Sequence, residues 1–239
     1  SGAGGCSGVG GCCGVDGILD SVALYGWLSQ GFTWNPDSPA DRFNGPMTFN
    51  DRSNEYQMNQ LYLVLERQIC SDTCHWDFGG RVDLLYGTDY FFTTAIGLET
   101  HQDGTPRWNS DEGPRGSGAS LYGVAMPQLY AEVYAPFGSG LTFMLGHFYS
   151  ILGYESVMSP DNFFYSHTYA KQYGEPFTHT GVLASYDLSP CLTFLAGFTR
   201  GWDTWEDINN NEGLLTGVFW TAPGGHTSLA FALHSGNED

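Results

Sequence analysis

The chain has 239 residues, of which 15% are aromatic and only 14% are charged, whereas soluble globular proteins typically carry about 25% charged residues. Acidic side chains outnumber basic ones by 26 to 8, so the net charge is −18. This balance excludes nucleic acid as a partner, because phosphate binding needs clustered Lys and Arg. No run of about 18 consecutive apolar residues occurs, which excludes a membrane-spanning helix but not a β-barrel.

Residues 1–19 are rich in Gly and Cys and show no periodicity, which predicts a flexible leader ahead of a barrel domain at 20–239. Period-two alternation and turn residues then predict nine strands in order along the chain. They are 21–34, 55–67, 77–87, 122–135, 141–149, 177–186, 192–202, 214–221 and 227–235. The apolar patch at 90–98 either extends the third strand or folds back.

The connections between these strands alternate between long and short. Long ones lie at 35–54, 88–120, 151–176 and 203–212, and short ones at 71–76, 136–140, 188–191 and 222–225. A soluble sandwich with Greek-key crossings has no reason to sort its connections in this way. The alternation therefore predicts an all-β protein, an antiparallel up-and-down transmembrane β-barrel whose short turns face the periplasm.

Nine is an odd number of strands, whereas closed bacterial barrels normally have an even number with both ends in the periplasm. With periplasmic short turns, the ninth strand would end on the outer side. We therefore expect the sequence to be a fragment of a larger barrel that has further C-terminal strands.

Apolar and polar side chains alternate within the predicted strands, as in Leu61 and Leu63 against Gln60 and Glu66. Such alternation is expected where one face meets lipid and the other a water-filled lumen. The pore-lining candidates are Gln60, Glu66, Arg81, Asp83, Gln128 and Glu132. Charged side chains in such positions set the selectivity of a pore. The alternative is a salt-bridged polar plug that only stabilises the interior.

Gly-rich and aromatic motifs surround the long central loop. They are DFGGRVDLLYGTD at 77–89, GHFY at 146–149, GYE at 153–155, NFFYSHTY at 162–169, PFTHTG at 176–181 and GWD at 201–203. In content and order they resemble the β-barrel porin family described as OmpL-like, which is found in Gram-negative envelopes and is abundant in Planctomycetes. The resemblance spans residues 21 to 203 and implies an outer-membrane barrel with passive passage of solutes.

The loop at 151–176 carries an unusual number of aromatic and charged side chains. We expect it to fold into the barrel as a constriction, because such a loop is typical of packing rather than free solvation. The candidates are Tyr154, Glu155, His167, Tyr169 and Lys171. A packed outer lid is the alternative that the sequence leaves open.

No pattern indicates catalysis or a bound cofactor. His167 and His179 have serines and acids nearby, but no nucleophile elbow and no His-Glu-x-x-His spacing occur. We predict that the protein is not an enzyme and has no catalytic residue, no cofactor and no metal site.

The six cysteines are Cys6, Cys12, Cys13, Cys70, Cys74 and Cys191. All fall on the periplasmic side, where disulfides form, although the sequence does not decide their pairing.

The predicted function is that of an outer-membrane porin in a Gram-negative-type bacterium, giving passive diffusion of small hydrophilic solutes. Acidic residues concentrate in the long loops, which predicts a mild preference for cations. The alternative is a plugged surface-binding or adhesion barrel without a conducting pore. Expected partners are outer-membrane lipid, lipopolysaccharide and small solutes or ions, with a homo-oligomer suggested by analogy to other porins.

Overall fold

The computed structural model describes residues 21–71, 75–111, 118–206 and 211–236. Nine strands form one antiparallel sheet in which each strand pairs with its neighbours along the chain. The strands are β1 (Val22–Phe32), β2 (Tyr56–Arg67), β3 (Asp77–Gly87), β6 (Gly123–Ala135), β7 (Leu141–Tyr149), β8 (Thr178–Ser189), β9 (Leu192–Thr199), β10 (Gly213–Thr221) and β11 (Ser228–Ser235). The prediction of nine antiparallel up-and-down strands is confirmed.

The two remaining strands, β4 (Ser110–Asp111) and β5 (Gly118–Ala119), pair as a small ribbon inside the loop between β3 and β6. In the part of the chain that the structure describes, helical structure is limited to 3-10 turns at Thr88–Thr93 and Ser159–Asp161 and to the single-turn helix α1 (Tyr169–Tyr173). The patch at 90–98 therefore does not extend β3. Within the described ranges, no helix has both the length and the apolar character needed to span a membrane.

The sheet is open, because β1 and β11 lie at its two edges and the described residues of these strands do not pair with each other. The short connections at 68–76, 136–140, 190–191 and 222–227 all lie at one end of the sheet, which we call the short-turn rim. The long loops lie at the opposite end, the long-loop rim. The predicted leader at 1–19 and four of the six cysteines, Cys6, Cys12, Cys13 and Cys74, lie outside the described residues.

One face of the sheet, which we call the outer face, is apolar and exposed from edge to edge. The strand register lines up Leu24 with Leu65, and Leu65 with Val82. Exposure on this face reaches 67% for Leu24 and Phe231. A soluble protein rarely exposes a continuous apolar surface of this extent, whereas lipid-facing strands do.

The opposite face, which we call the inner face, is polar. The register places Glu66 opposite Arg81, Arg81 opposite Tyr130, and Asp83 opposite Gln128. The buried apolar clusters lie between this face and the loops that fold onto it. In one cluster, Tyr62 and Leu85 of the sheet pack with Tyr90 from the long-loop rim and with Met158 from the loop between β7 and β8.

Candidate functional site

The centre of the inner face is an ion pair between Arg81 and Asp83, two residues apart on β3. The guanidinium donates from Nε at 2.7 Å and from Nη2 at 3.0 Å to the two carboxylate oxygens. Glu66 on β2 adds a more distant contact, 3.8 Å from Nη1. Alternation along the strand brings these groups together, because residues two apart share a face of a sheet.

Asp83 is fully buried, and three neighbouring side chains satisfy its carboxylate. Besides Arg81, it accepts hydrogen bonds from the Tyr62 hydroxyl at 2.5 Å and the Gln128 amide at 2.7 Å. The Tyr62 and Tyr149 hydroxyls lie 2.9 Å apart, so the network extends across to β7. A buried carboxylate that is fully hydrogen-bonded makes the inner face rigid around it.

The inner face has an excess of negative charge. Glu66 accepts a hydrogen bond from the Tyr25 hydroxyl at 2.9 Å, and Glu132 faces β3 opposite Gly79. Three carboxylates, those of Glu66, Asp83 and Glu132, thus share this region with one guanidinium. The formal charge of the cluster is therefore negative, which attracts cations into a confined space.

The six pore-lining candidates all lie on the inner face, but they differ in access. Gln60, Asp83 and Gln128 are buried, whereas Glu66, Arg81 and Glu132 are partly exposed. Gln60 lies beneath the loop between β7 and β8, and its amide nitrogen binds the Val157 carbonyl at 2.7 Å. Pore lining thus stays a prediction, and it fits the three partly exposed residues best.

The loop between β7 and β8 (residues 150–177) reaches across the inner face to β2 and β3. The Gln60 side-chain oxygen accepts from the Ser159 backbone at 3.1 Å, and the Tyr165 hydroxyl donates to Asn59 at 2.6 Å. Arg81 Nη2 lies 3.3 Å from the Met158 sulfur. We call residues 157–165, which carry these contacts, the docked segment.

The five constriction candidates lie elsewhere in this loop. Tyr154 is fully exposed and Tyr169 is exposed. Glu155 pairs with His167 at 3.1 Å inside the loop. Sequence reasoning selected charged and aromatic side chains, whereas the contacts with the sheet are made mostly by backbone groups and by Met158. The docked segment has three aromatic residues, of which Phe163 and Phe164 are exposed and Tyr165 contacts the sheet.

Lys171, the chain's single lysine, is buried within the loop. Its Nζ lies 3.8 Å from the Glu175 carboxylate and 5.0 Å from the centre of the Phe177 ring. Burial lowers the pKa of Lys171, and the neighbouring carboxylates partly oppose that shift. Burial likewise lowers the pKa of His167, against the effect of Glu155. These contacts give the loop a core of its own.

Asp89 lies in the 3-10 turn after β3 and binds Asn59 and Gln60, the two residues of β2 that contact the docked segment. The sequence did not single it out as a functional residue. Its oxygens accept from the Asn59 amide at 2.8 Å and from the Gln60 amide at 2.9 Å. The register between β1 and β2 shifts at this point, which turns the adjacent residues Asn59 and Gln60 toward the same carboxylate. Burial raises the pKa of Asp89 to about 6, against the lowering effect of these hydrogen bonds.

Lowering the pH from 7.5 to 5 should favour the docked state of the loop. Loss of the docked segment would uncover Asp89 and return its pKa toward the ordinary 3.8 from about 6. The docked state therefore binds the proton more tightly, and its advantage is complete below the lower pKa and disappears as the pH rises through about 6. We expect a smaller mean single-channel conductance at pH 5 than at pH 7.5.

The Asp89→Asn variant should lose most of this pH dependence, since it removes the titrating group. Asp103→Asn is the matched control, because the Asp103 carboxylate is exposed and accepts local hydrogen bonds from Thr105, two residues away. Equal pH dependence in the Asp89 variant and in the unchanged protein would contradict the assignment to Asp89.

Two further carboxylates, those of the partly buried Asp203 and the fully buried Glu99, fix the ends of the loops. Asp203 accepts from the backbone of Phe177 and Thr178 at 3.0 and 2.7 Å, where β8 begins. Glu99 accepts from the backbone of Ala95 and Met126 at 2.9 and 2.8 Å. Burial raises the pKa of Asp203 to about 6 and that of Glu99 to about 7.

The histidines considered for catalysis make structural contacts. His179 binds the Gly201 carbonyl at 3.0 Å and lies 3.1 Å from the Ser150 hydroxyl. In the part of the chain that the structure describes, no group of three or more His, Cys, Asp or Glu side chains is arranged to hold a metal ion.

Cys70 forms a disulfide bond, and both Cys70 and Cys191 lie in connections at the short-turn rim.

Comparison with known proteins identifies the family. The family model described as "Putative beta-barrel porin-2, OmpL-like" matches residues 21–239. No curated protein and no solved structure matches the chain. The match covers all nine strands of the sheet, and a porin family groups channels of the bacterial outer membrane rather than enzymes. The chain therefore belongs to the OmpL-like family of β-barrel porins.

Proposed function

We propose that this porin gives passive diffusion of small hydrophilic solutes across the outer membrane of a Gram-negative-type bacterium, with a mild preference for cations. The observation that carries the proposal is the contrast between an apolar outer face and an acidic inner face on the same strands. A barrel with a hydrated interior gives both faces a suitable environment, which supports the proposal. Its outer contacts would be lipid, lipopolysaccharide and neighbouring copies.

Conductance tests the proposal. The protein extracted from its outer membrane and reconstituted in a planar bilayer should show stepwise single-channel currents in potassium chloride. In a salt gradient, the reversal potential should indicate that potassium is more permeant than chloride. A chloride-favouring potential would contradict the cation preference, and the absence of any current would contradict the porin mechanism itself.

The double variant Glu66→Gln with Glu132→Gln should move the reversal potential toward zero selectivity. Both carboxylates are partly exposed on the inner face, and Glu66 lies only 3.8 Å from Arg81, so their neutralisation leaves Arg81 and Asp83 as a balanced pair. Asp37→Asn, an exposed change in the first long loop, is the control for charge at the long-loop rim. A larger shift in the control than in the double variant would place selectivity at the rim instead.

The docked segment favours a second candidate, a plugged barrel that binds partners at its surface and does not conduct. In that case Gln60, which is fully buried beneath the loop, would belong to a permanent seal. The same bilayer recording separates the two candidates, because a sealed barrel inserts and changes mobility on heating but gives no current.

A further inference from the structure

Phe49 lies in the first long loop, between β1 and β2, and has a backbone conformation that bulky residues rarely adopt. Its φ is 67°, and the Asn50 backbone N–H donates to the Thr48 carbonyl at 2.9 Å, which closes a three-residue turn around it. A bulky residue with positive φ is strained, and such strain persists where the surrounding structure fixes the residue. The Phe49 carbonyl accepts from the Gln57 amide at 2.6 Å. The backbone of the strained turn is thus held to β2.

The Phe49 side chain is buried at the point where three of the long loops meet. Its ring stacks on Phe92 of the loop between β3 and β6, with the ring centroids 4.0 Å apart. On the other side its ring centroid lies 4.0 Å from that of His167, in the loop between β7 and β8, and 6.1 Å from that of Phe177. Val157, the first residue of the docked segment, belongs to the same buried cluster. Such ring contacts add to the free energy gained by burial.

A second contact joins the same two loops beside the Phe49 ring. The Thr48 hydroxyl donates to the His167 carbonyl. Two consecutive residues of the first long loop therefore hold His167, one through its carbonyl and one through its ring. Glu155 pairs with the same imidazole at 3.1 Å, so this contact holds both arms of the loop between β7 and β8.

These contacts give the first long loop a role in the pore described above, and the inference rests on that proposed function. We propose that Phe49 is a positioning residue, which holds the loop between β7 and β8 over the inner face. The first long loop thereby sets the width of the pore, although it does not itself cross the inner face to Arg81.

Proteolysis at Lys171 tests the positioning role without requiring a current. Lys171 is the only lysine of the chain and is buried in the loop, so a lysine-specific endoproteinase cuts the folded protein when the loop is displaced. The rate of cleavage follows the population of the displaced loop when the loop returns faster than it is cut. Phe49→Asn should raise this rate at least about tenfold, because asparagine tolerates a positive φ but the buried ring is lost. Its single-channel conductance should rise as well.

Two further variants make the test specific. Phe43→Asn makes the same change at an exposed residue of the same loop and should alter neither the cleavage rate nor the conductance. His167→Ala should accelerate cleavage, and its effect combined with Phe49→Asn should be smaller than the sum of the two, because both remove one ring contact. Additive effects on the logarithm of the rate would contradict positioning through His167.

The remaining outcomes separate this inference from the proposed function. Equal cleavage of the unchanged protein and Phe49→Asn would overturn the positioning role, and so would equal acceleration by Phe43→Asn. Faster cleavage with unchanged conductance would overturn the link to pore width. If the unchanged protein gives no current, the proposed function fails together with that link, and the cleavage rates still decide the positioning role. A heat-dependent gel shift in every variant shows that the barrel has folded, so faster cleavage is not global unfolding.

Discussion

Replacement of residues 154–173 by a Gly/Ser segment of equal length is expected to raise the single-channel conductance severalfold. The docked segment crosses the inner face and is held by Gln60 and Asn59 on β2 and by Arg81 on β3. Without these contacts the segment no longer occupies the space in front of the inner face, and the cross-section open to ions increases. Recordings in planar bilayers under identical salt measure the change directly.

The control for this exchange is a Gly/Ser replacement of residues 102–105, an exposed turn in the loop between β3 and β6. It alters loop composition at the same rim without touching the docked segment, and it should leave the conductance unchanged. If the exchange at 154–173 also leaves the conductance unchanged, the loop does not limit the pore. If neither protein conducts, the seal lies elsewhere in the lumen.

Asp83→Ala is expected to be the most destabilising single substitution on the inner face. It leaves the Glu66 carboxylate, 3.8 Å away, as the counter-ion of the Arg81 guanidinium and removes the acceptor of the Tyr62 and Gln128 hydrogen bonds. Removal of one partner of a buried ion pair typically costs about 3–5 kcal/mol. Reversible guanidinium unfolding in lipid vesicles, followed by tryptophan fluorescence, gives the free energy of unfolding.

Two other variants make this measurement specific. Asp83→Asn keeps one oxygen as an acceptor, so its loss of stability should be smaller than that of the alanine variant. Asp161→Ala removes an exposed carboxylate from the loop between β7 and β8 and should have little effect. Similar stability losses for Asp83→Ala and Asp161→Ala would mean that the buried network does not stabilise the barrel.

The alternation of side chains was sufficient to predict the sheet. Strands β3 and β7 have the predicted limits, and the other strands differ mainly at their ends, because hydrogen bonding there depends on the loops. Alternation also predicted that Glu66, Arg81 and Asp83 share a face. Such local signals suffice because, in this topology, every strand pairs with its neighbours along the chain.

The docked segment could not be predicted in the same way. Its contacts with Gln60 and Asn59 join residues 97 to 106 positions apart, and several of them involve backbone groups that carry no residue signature. Asp89 was overlooked for a related reason. Its burial depends on a register shift that turns two adjacent residues of β2 toward it, and no period-two pattern encodes such a shift.

The pairing order of the sheet has a consequence for assembly. Pairing of neighbouring strands closes connections of at most 35 residues, whereas docking of the loop must bring together segments about one hundred residues apart. Closing the shorter connections costs less entropy and is faster, so each strand can pair with its neighbour along the chain before the loop docks. The nascent channel would then pass through a wide, leaky stage, and narrowing of its lumen would be a late step of biogenesis.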